Sequence, residues 1–138
     1  LGTSWRVGGG YLFDRATVEE FSPSPALTAS IVGNDLPQVP THRGSLHATY
    51  ASPRYATVSL GVQVSGRQFD DDQNTGTREL PGYTTVDLAV SRTLVRNIDV
   101  FFGAQNLFDQ EYVVGTLPTT IGSPRLVNGG IRLRLAGR

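Results

Sequence analysis

The chain has 138 residues, enough for one domain with a modest core. Its 12 basic residues, all arginine, balance 12 acidic ones, so no single-sign field points to nucleic acid or an anionic surface. The absence of cysteine removes disulfides and thiolate metal sites and leaves the redox compartment unmarked.

No signal peptide is legible at Leu1-Gly2-Thr3, and no run of about 18 apolar residues occurs, so a membrane-spanning helix is not expected. A strand crosses a bilayer in only about 9–11 tilted residues, with an alternating pattern that leaves the mean hydropathy near zero. The start at Leu1 and the absence of Met read as a piece of something larger.

Period-two alternation dominates the chain. Residues 3–17, like 43–51, are a weaker run, with Trp5, Val7, Tyr11 and Phe13 on one face; Gly8-Gly9-Gly10 within it precedes no helix and so is not a phosphate loop, but a bend or close backbone approach. Residues 18–42 form a long polar connection. In 43–51, Leu46, Ala48 and Tyr50 oppose Ser45, His47 and Thr49, and 52–55 is a tight turn. In 56–69, Val58, Leu60, Val62 and Val64 alternate with Ser59, Gly61, Gln63 and Ser65. A second long loop covers 70–82. Residues 83–93 set Val86, Leu88 and Val90 against Thr85, Asp87, Ala89 and Ser91, before a tight turn at 95–97. The strand 98–112 follows, then a third long loop at 113–124, and a final strand with Ile131, Leu133 and Leu135 opposite Arg132 and Arg134. No segment carries a helical stripe.

In an antiparallel meander every second connection lies at the same end, so the three long loops are expected on one side and both tight turns on the other. That asymmetry belongs to outer-membrane barrels. Runs of 10–14 residues exceed the roughly 5–6 of an average globular strand. Tyr11, Phe13, Tyr50, Tyr55, Phe69, Tyr83, Phe108 and Tyr112 cluster at strand ends, as interfacial girdles do. The alternative is a soluble β-sandwich or small β-barrel binding module, whose apolar face would be covered by a second layer.

Three motifs, in order, carry a resemblance. They are Leu36-Pro37-Gln38-Val39-Pro40-Thr41-His42 leading into the strand that ends at Tyr50, then Leu80-Pro81-Gly82-Tyr83 with Asp87 after an acidic loop, and Asn106-Leu107-Phe108-Asp109 with Tyr112. With Gly122-Ser123-Pro124-Arg125 before the last strand, this set resembles the C-terminal part of the barrel of TonB-dependent outer-membrane receptors, across nearly all of residues 1–138.

The resemblance implies an all-β, antiparallel up-and-down meander of about six strands, a fragment of a 22-stranded transmembrane β-barrel closed by an N-terminal plug that lies outside this chain. It implies a bacterial outer-membrane location and import of a scarce nutrient, such as a ferric siderophore or cobalamin. The energy comes from the TonB complex through the missing N-terminal part, and no enzymatic chemistry or cofactor is implied. Lipid of the outer membrane, the nutrient ligand and the barrel-assembly machinery are the expected partners, and nucleic acid is not among them. Six strands cannot close, so the isolated piece is expected to pair through its open edges. The family's last strand normally ends in an aromatic residue; Asn128, Gly130, Leu133 and Leu135 stand here as a leucine version of the assembly signal, or the chain is cut short.

Other constellations have plainer readings. Asp70-Asp71-Asp72-Gln73-Asn74 offers oxygens to calcium, but Gly76 is one place late for an EF-hand and no bidentate Glu follows, so a solvated acidic loop ranks first. His42 and His47 are five apart and fall on opposite faces. Ser45, His47 and Asp87 as a hydrolase lack an oxyanion hole. Asp87, facing a hydrated lumen, is expected to pair with Arg92 or an arginine on an adjacent strand. Arg132 and Arg134 are expected to face inward, paired to lumen carboxylates or the missing plug, because at the bilayer midplane an outward arginine costs about 2–4 kcal/mol. Asn106 is expected where its strand leaves the apolar band, with its amide turned onto neighbouring backbone.

Overall fold

The computed structural model describes residues 4–23, 25 and 29–134. Ten strands run in chain order: β1 (Ser4–Phe13), β2 (His42–Ala51), β3 (Thr57–Ser65), β4 (Gln68–Phe69), β5 (Glu79–Leu80), β6 (Tyr83–Val95), β7 (Ile98–Gln105), β8 (Val113–Thr116), β9 (Thr119–Ile121) and β10 (Leu126–Leu133). Six of them form one antiparallel sheet in the order β1-β2-β3-β6-β7-β10. Every neighbour in the sheet is also the next long strand in sequence, which is the expected meander. The short strands form two separate hairpins, β4-β5 and β8-β9. A single 3-10 turn, Gly76–Arg78, lies between β4 and β5.

The three long connections leave the sheet at one end and the two tight turns at the other, as the alternation of loop lengths requires. The expected strand ends are less faithful. The run at 3–17 stops at Phe13, because the chain bends back so that Thr17 bridges Asp35 and Leu36 N–H donates to the Ala16 carbonyl. The run at 56–69 breaks after Ser65, where Gly66 N–H turns onto the His42 carbonyl and Gln68-Phe69 joins the β4-β5 hairpin. The run at 98–112 stops at Gln105, because Asn106 (φ 47°) and Asp109 (φ 54°) both adopt left-handed backbone that no strand tolerates. The strand at 83–93 instead extends to Val95.

Directly opposed residues share a face, so the register fixes both surfaces. One face reads Val7–Ala48–Leu60–Leu88–Ala104–Val127 across all six strands, with Trp5, Tyr50, Val58, Val62, Val86, Val90, Phe102 and Ile131 around that row. The other reads Gly8–His47–Gly61–Asp87 and, one pair further along β6, Ala89–Gly103–Asn128.

Among the described residues the apolar face has no second layer. Trp5 is 68% exposed, Val7 70%, Ile131 68% and Leu133 64%, and among the described residues only Leu80 and Ala104 form a buried apolar core. A soluble sandwich would bury these side chains, since about 25 cal/mol per Å² of apolar surface is forfeited by leaving them in water. β1 and β10 each have one neighbour and leave an open edge among the described residues. Trp5 and Tyr50 pack at 4.8 Å at the tight-turn end, and Tyr11 and Phe13 lie against His42 at the long-loop end, giving the apolar face an aromatic margin at both ends. Tyr83 departs from the expected girdle: it shares the polar face with Ser65 and stacks on Tyr112.

Candidate functional site

The long-loop end and the polar face beneath it hold the residues singled out in the sequence. β4 and β5 pair Gln68 with Leu80, which buries Leu80 to 1% exposure. Pro81-Gly82 then delivers the chain into β6, and Gly82 is required there: a Cβ would stand 2.9 Å from the Ser65 carbonyl. Tyr83 stacks on Tyr112 with ring centroids 4.0 Å apart, and Tyr112 in turn lies directly against Gly122, where any side chain would strike its ring.

Asn106 is the most buried polar residue of this region, at 4% exposure. Its Nδ2 donates to the carbonyls of Gln110 (2.9 Å) and Ser123 (3.0 Å), and its Oδ1 accepts the Gln110 N–H (2.9 Å). Its own N–H donates to Asp87 Oδ1 at 2.9 Å, and the next residue, Leu107, donates to the Val86 carbonyl. Asp109 accepts the Arg125 N–H at 2.9 Å and faces the Arg125 guanidinium at 3.7 Å. Phe108 projects outward at 74% exposure. The Asn106–Asp109 turn therefore ties the end of β7 to β6 on one side and to the entry of β10 on the other. All of its polar side chains are engaged with backbone, which is how polar residues persist here without opening into a disordered loop.

Asp87 does not pair with Arg92. The two are five residues apart on one strand, so they occupy opposite faces; Arg92 opposes Val100 on the apolar side, and Asp87 is spent on Asn106. Nor, among the described residues, is Asp87 in an ion pair with an arginine of an adjacent strand. Arg132 opposes Asp99, and Arg134 holds Asp99 with a two-nitrogen grip: Nη2 lies 2.6 and 2.7 Å from its carboxylate oxygens and Nε lies 3.1 Å from Oδ2. Thr93 adds a hydroxyl donor at 2.7 Å. Both arginines therefore lie on the polar side, Arg134 against a carboxylate.

Asn128 lies over Gly103, and the Phe101 ring over Gly130, both on the polar face, whereas Leu133 opposes Ile98 on the apolar one. Leu135 lies outside the described residues. His47 sits over Gly61, between Gly8 and Asp87, while His42 is on the other face with Tyr11 Oη 2.6 Å from its Nδ1. Ser45, His47 and Asp87 share the polar face, but no hydrogen bond links them among the described residues, and Asp87 is already committed.

The acidic loop is a joint between loops. Asp70 Oδ2 accepts both the N–H (2.7 Å) and hydroxyl (2.6 Å) of Thr116 from the third long loop, and its Oδ1 accepts Gln38 Nε2 (2.8 Å) from the first. The Thr116 hydroxyl, the Gln38 amide and the Thr116 N–H, in that order, hold the Asp70 carboxyl down at about 2; nearby Arg78 helps less. Asp71 accepts from the Thr75 N–H (2.9 Å) and hydroxyl (2.6 Å), and Asn74 closes a pair of bonds with the backbone of Asp35. Among the described residues no group of three or more His, Cys, Asp or Glu is placed to hold a metal.

The sheet, its exposed apolar face and its one-sided loops match a known architecture at the level of sequence. Residues 1–107 match the family described as TonB dependent receptor-like, beta-barrel. The chain belongs to that family. TonB-dependent receptors are transport receptors, not enzymes.

The catecholate siderophore receptor Fiu of Escherichia coli K12 is 29% identical over 112 residues, 80% of this chain and 14% of that protein. The metal-pseudopaline receptor CntO of Pseudomonas aeruginosa is 36% identical over 84 residues, 58% of this chain and 12% of that protein. The chain thus spans only 12% to 14% of these curated relatives. Among solved structures, the siderophore receptor PiuA of Acinetobacter baumannii superposes with a TM-score of 0.77 at 21% identity, over 94% of this chain and 19% of that one; this likeness shows the fold. The ferric-catecholate import receptor Fiu gives 0.74 at 26% identity, over 94% and 18%.

Two contacts of this TonB-dependent receptor chain carry no signal in its sequence. The Asp70–Thr116–Gln38 joint links residues 46 and 32 positions apart, and no periodicity marks it. The seat of Tyr112 on Gly122 carries no local signal either. The Asp99–Arg134 grip was within reach, because both lie on the polar side of adjacent strands.

Proposed function

We propose that residues 1–138 are the C-terminal portion of the 22-stranded barrel of an outer-membrane importer, with the plug and earlier strands supplied by the rest of the protein. The apolar face then meets outer-membrane lipid, the polar face lines the hydrated interior, and the long loops stand at the extracellular rim. The cargo is a scarce nutrient bound as a small molecule, foremost a ferric siderophore or related metal chelate, with cobalamin next. Uptake is driven by the TonB complex through the missing N-terminal part. Asn128, Gly130, Leu133 and Leu135 would present the last strand to the barrel-assembly machinery. Leu80 to Tyr83, Asp87, Asn106 to Asp109 and Tyr112 would set the wall and rim rather than touch cargo.

The observation that carries this reading is the continuous apolar face of a single-layered sheet, left uncovered while its reverse holds Asp87, His47 and the Asp99–Arg134 pair. In water such a face is costly, and in lipid it is the favoured state. The curated relatives add the cargo class, since their names are those of siderophore and metal-chelate receptors.

The test is uptake of radiolabelled iron in a strain deleted for the full-length gene, supplied with ferric catecholate, hydroxamate and carboxylate chelates in turn, and of labelled cobalamin. Loss of uptake of one of them, restored by the full-length gene only when TonB is present, supports the proposal. Unchanged uptake of all of them, with the protein recovered in the soluble fraction, would contradict it.

A further inference from the structure

We infer that the three outer loops form one mechanical body keyed by the Asp70 carboxylate, so that a displacement of any one loop is transmitted to the other two. Among the described residues Asp70 is the one side chain that bonds to both the first and the third long loop while belonging to the second. Three further side-chain bonds and one backbone bond join the first and second loops around it. Asn74 exchanges two bonds with the Asp35 backbone, Asn34 Nδ2 donates to the Asp72 carbonyl at 2.9 Å, and Gln38 N–H donates to the Phe69 carbonyl at 2.7 Å.

The backbone at the joint is set for this purpose. Gln38 (φ 59°) and Asn74 (φ 52°) both hold left-handed conformations, and each supplies a side chain to a cross-loop bond. Asparagine visits that region readily, whereas glutamine holds it only where its surroundings support it. Among the described residues the third loop makes no hydrogen bond to the first, and its side-chain link to it runs through Asp70. Removal of this carboxylate therefore loosens the third loop, which keeps the contact of β8 with β5 and the Tyr83–Tyr112 stack, while the first and second stay joined through Asn74. Asp70 is thus a positioning residue for the rim as a whole, whatever molecule the rim admits.

The test is hydrogen exchange on the full-length protein in outer-membrane vesicles, read on peptides covering 14–41, 66–82 and 106–125, for the parent and for Asp70→Ala, Asp70→Asn and Thr116→Val. Asp70→Ala is expected to raise exchange at least tenfold around Thr116 and measurably around Gln38, with β3 and β6 unchanged. Asp70→Asn is expected to do less, because a carboxamide still accepts from Thr116 and can donate to a reoriented Gln38 amide. If Asp70→Ala fails to assemble, Asp70→Asn and Thr116→Val carry the test, each with faster exchange in both 14–41 and 106–125. Exchange that rises only within 66–82, or equally for Ala and Asn, overturns the inference. The inference rests on the outer-membrane placement but not on the cargo: failure to recover the protein in vesicles counts against that placement, and an unaltered exchange pattern counts against the joint alone.

Discussion

Asn106→Ala is the sharpest perturbation of the rim. It removes three side-chain hydrogen bonds, two donated by Nδ2 and one accepted by Oδ1. At about 1 kcal/mol each, these amount to about 3 kcal/mol. Alanine must also hold φ 47°, which asparagine tolerates and alanine does not, for about 1 kcal/mol more. The total of about 4 kcal/mol corresponds to roughly a thousandfold change in a local opening equilibrium, at about 1.4 kcal/mol per factor of ten. Asn106→Gly loses the same bonds without the backbone term, so roughly a hundredfold is expected. The assay is exchange of the Leu107 and Asp109 amides in the full-length protein, since these donate to the Val86 and Asn106 carbonyls and close the same turn. Changes below tenfold for both variants, or alanine milder than glycine, would refute the reasoning.

Further outcomes follow from the same geometry. Val62→Arg, on the apolar face near the middle of β3, should cost about 2–4 kcal/mol and sharply lower the amount of protein assembled in the membrane. Gln63→Arg, one residue along and facing inward, should assemble at the parent level. Gly122→Ala should unseat Tyr112 and with it the Tyr83 stack, costing about 1–3 kcal/mol and lowering the temperature at which the folded band is lost in heat-modifiable mobility. The Asp70 joint, facing Arg78 and the neighbouring Asp71 and Asp72, should be pH-tolerant. A carboxyl lowered from 3.8 to about 2 contributes its stability fully above pH 3.8 and loses it as the pH falls toward 2. The Thr116 amide resonance, followed through an acid titration, should therefore move near pH 2; movement centred near 4 would remove the joint.

The strands were legible because nothing competes with their period. In a single-layered sheet each side chain meets one of two environments, so Val58, Leu60, Val62 and Val64 record the apolar side directly and Ser59 and Gln63 the other. The strand ends were less legible, because they depend on where the backbone turns left-handed. Asn106 and Asp109 look like ordinary polar residues until their φ values are known. The expected Asp87–Arg92 pair failed on parity alone, and period-two counting would have excluded it. The Asp70 joint was illegible in principle: it is made by loops that have no repeat, between residues brought together only after the meander has formed. The motif residues proved to be joined to one another, with Tyr83 on Tyr112 and Asp87 on Asn106, which explains why they occur as a set.

The two-sidedness of the sheet is open to one direct measurement. This chain has no cysteine, so with any cysteine elsewhere in the full-length protein replaced by serine, single cysteines at 58 through 65 can carry a spin label in outer-membrane lipid. Labels at 58, 60, 62 and 64 should collide with dissolved oxygen and be shielded from a water-soluble nickel chelate, and labels at 59, 61 and 63 should show the reverse. Water access that is uniform along β3, or an inverted alternation, would contradict a wall with lipid on its valine side.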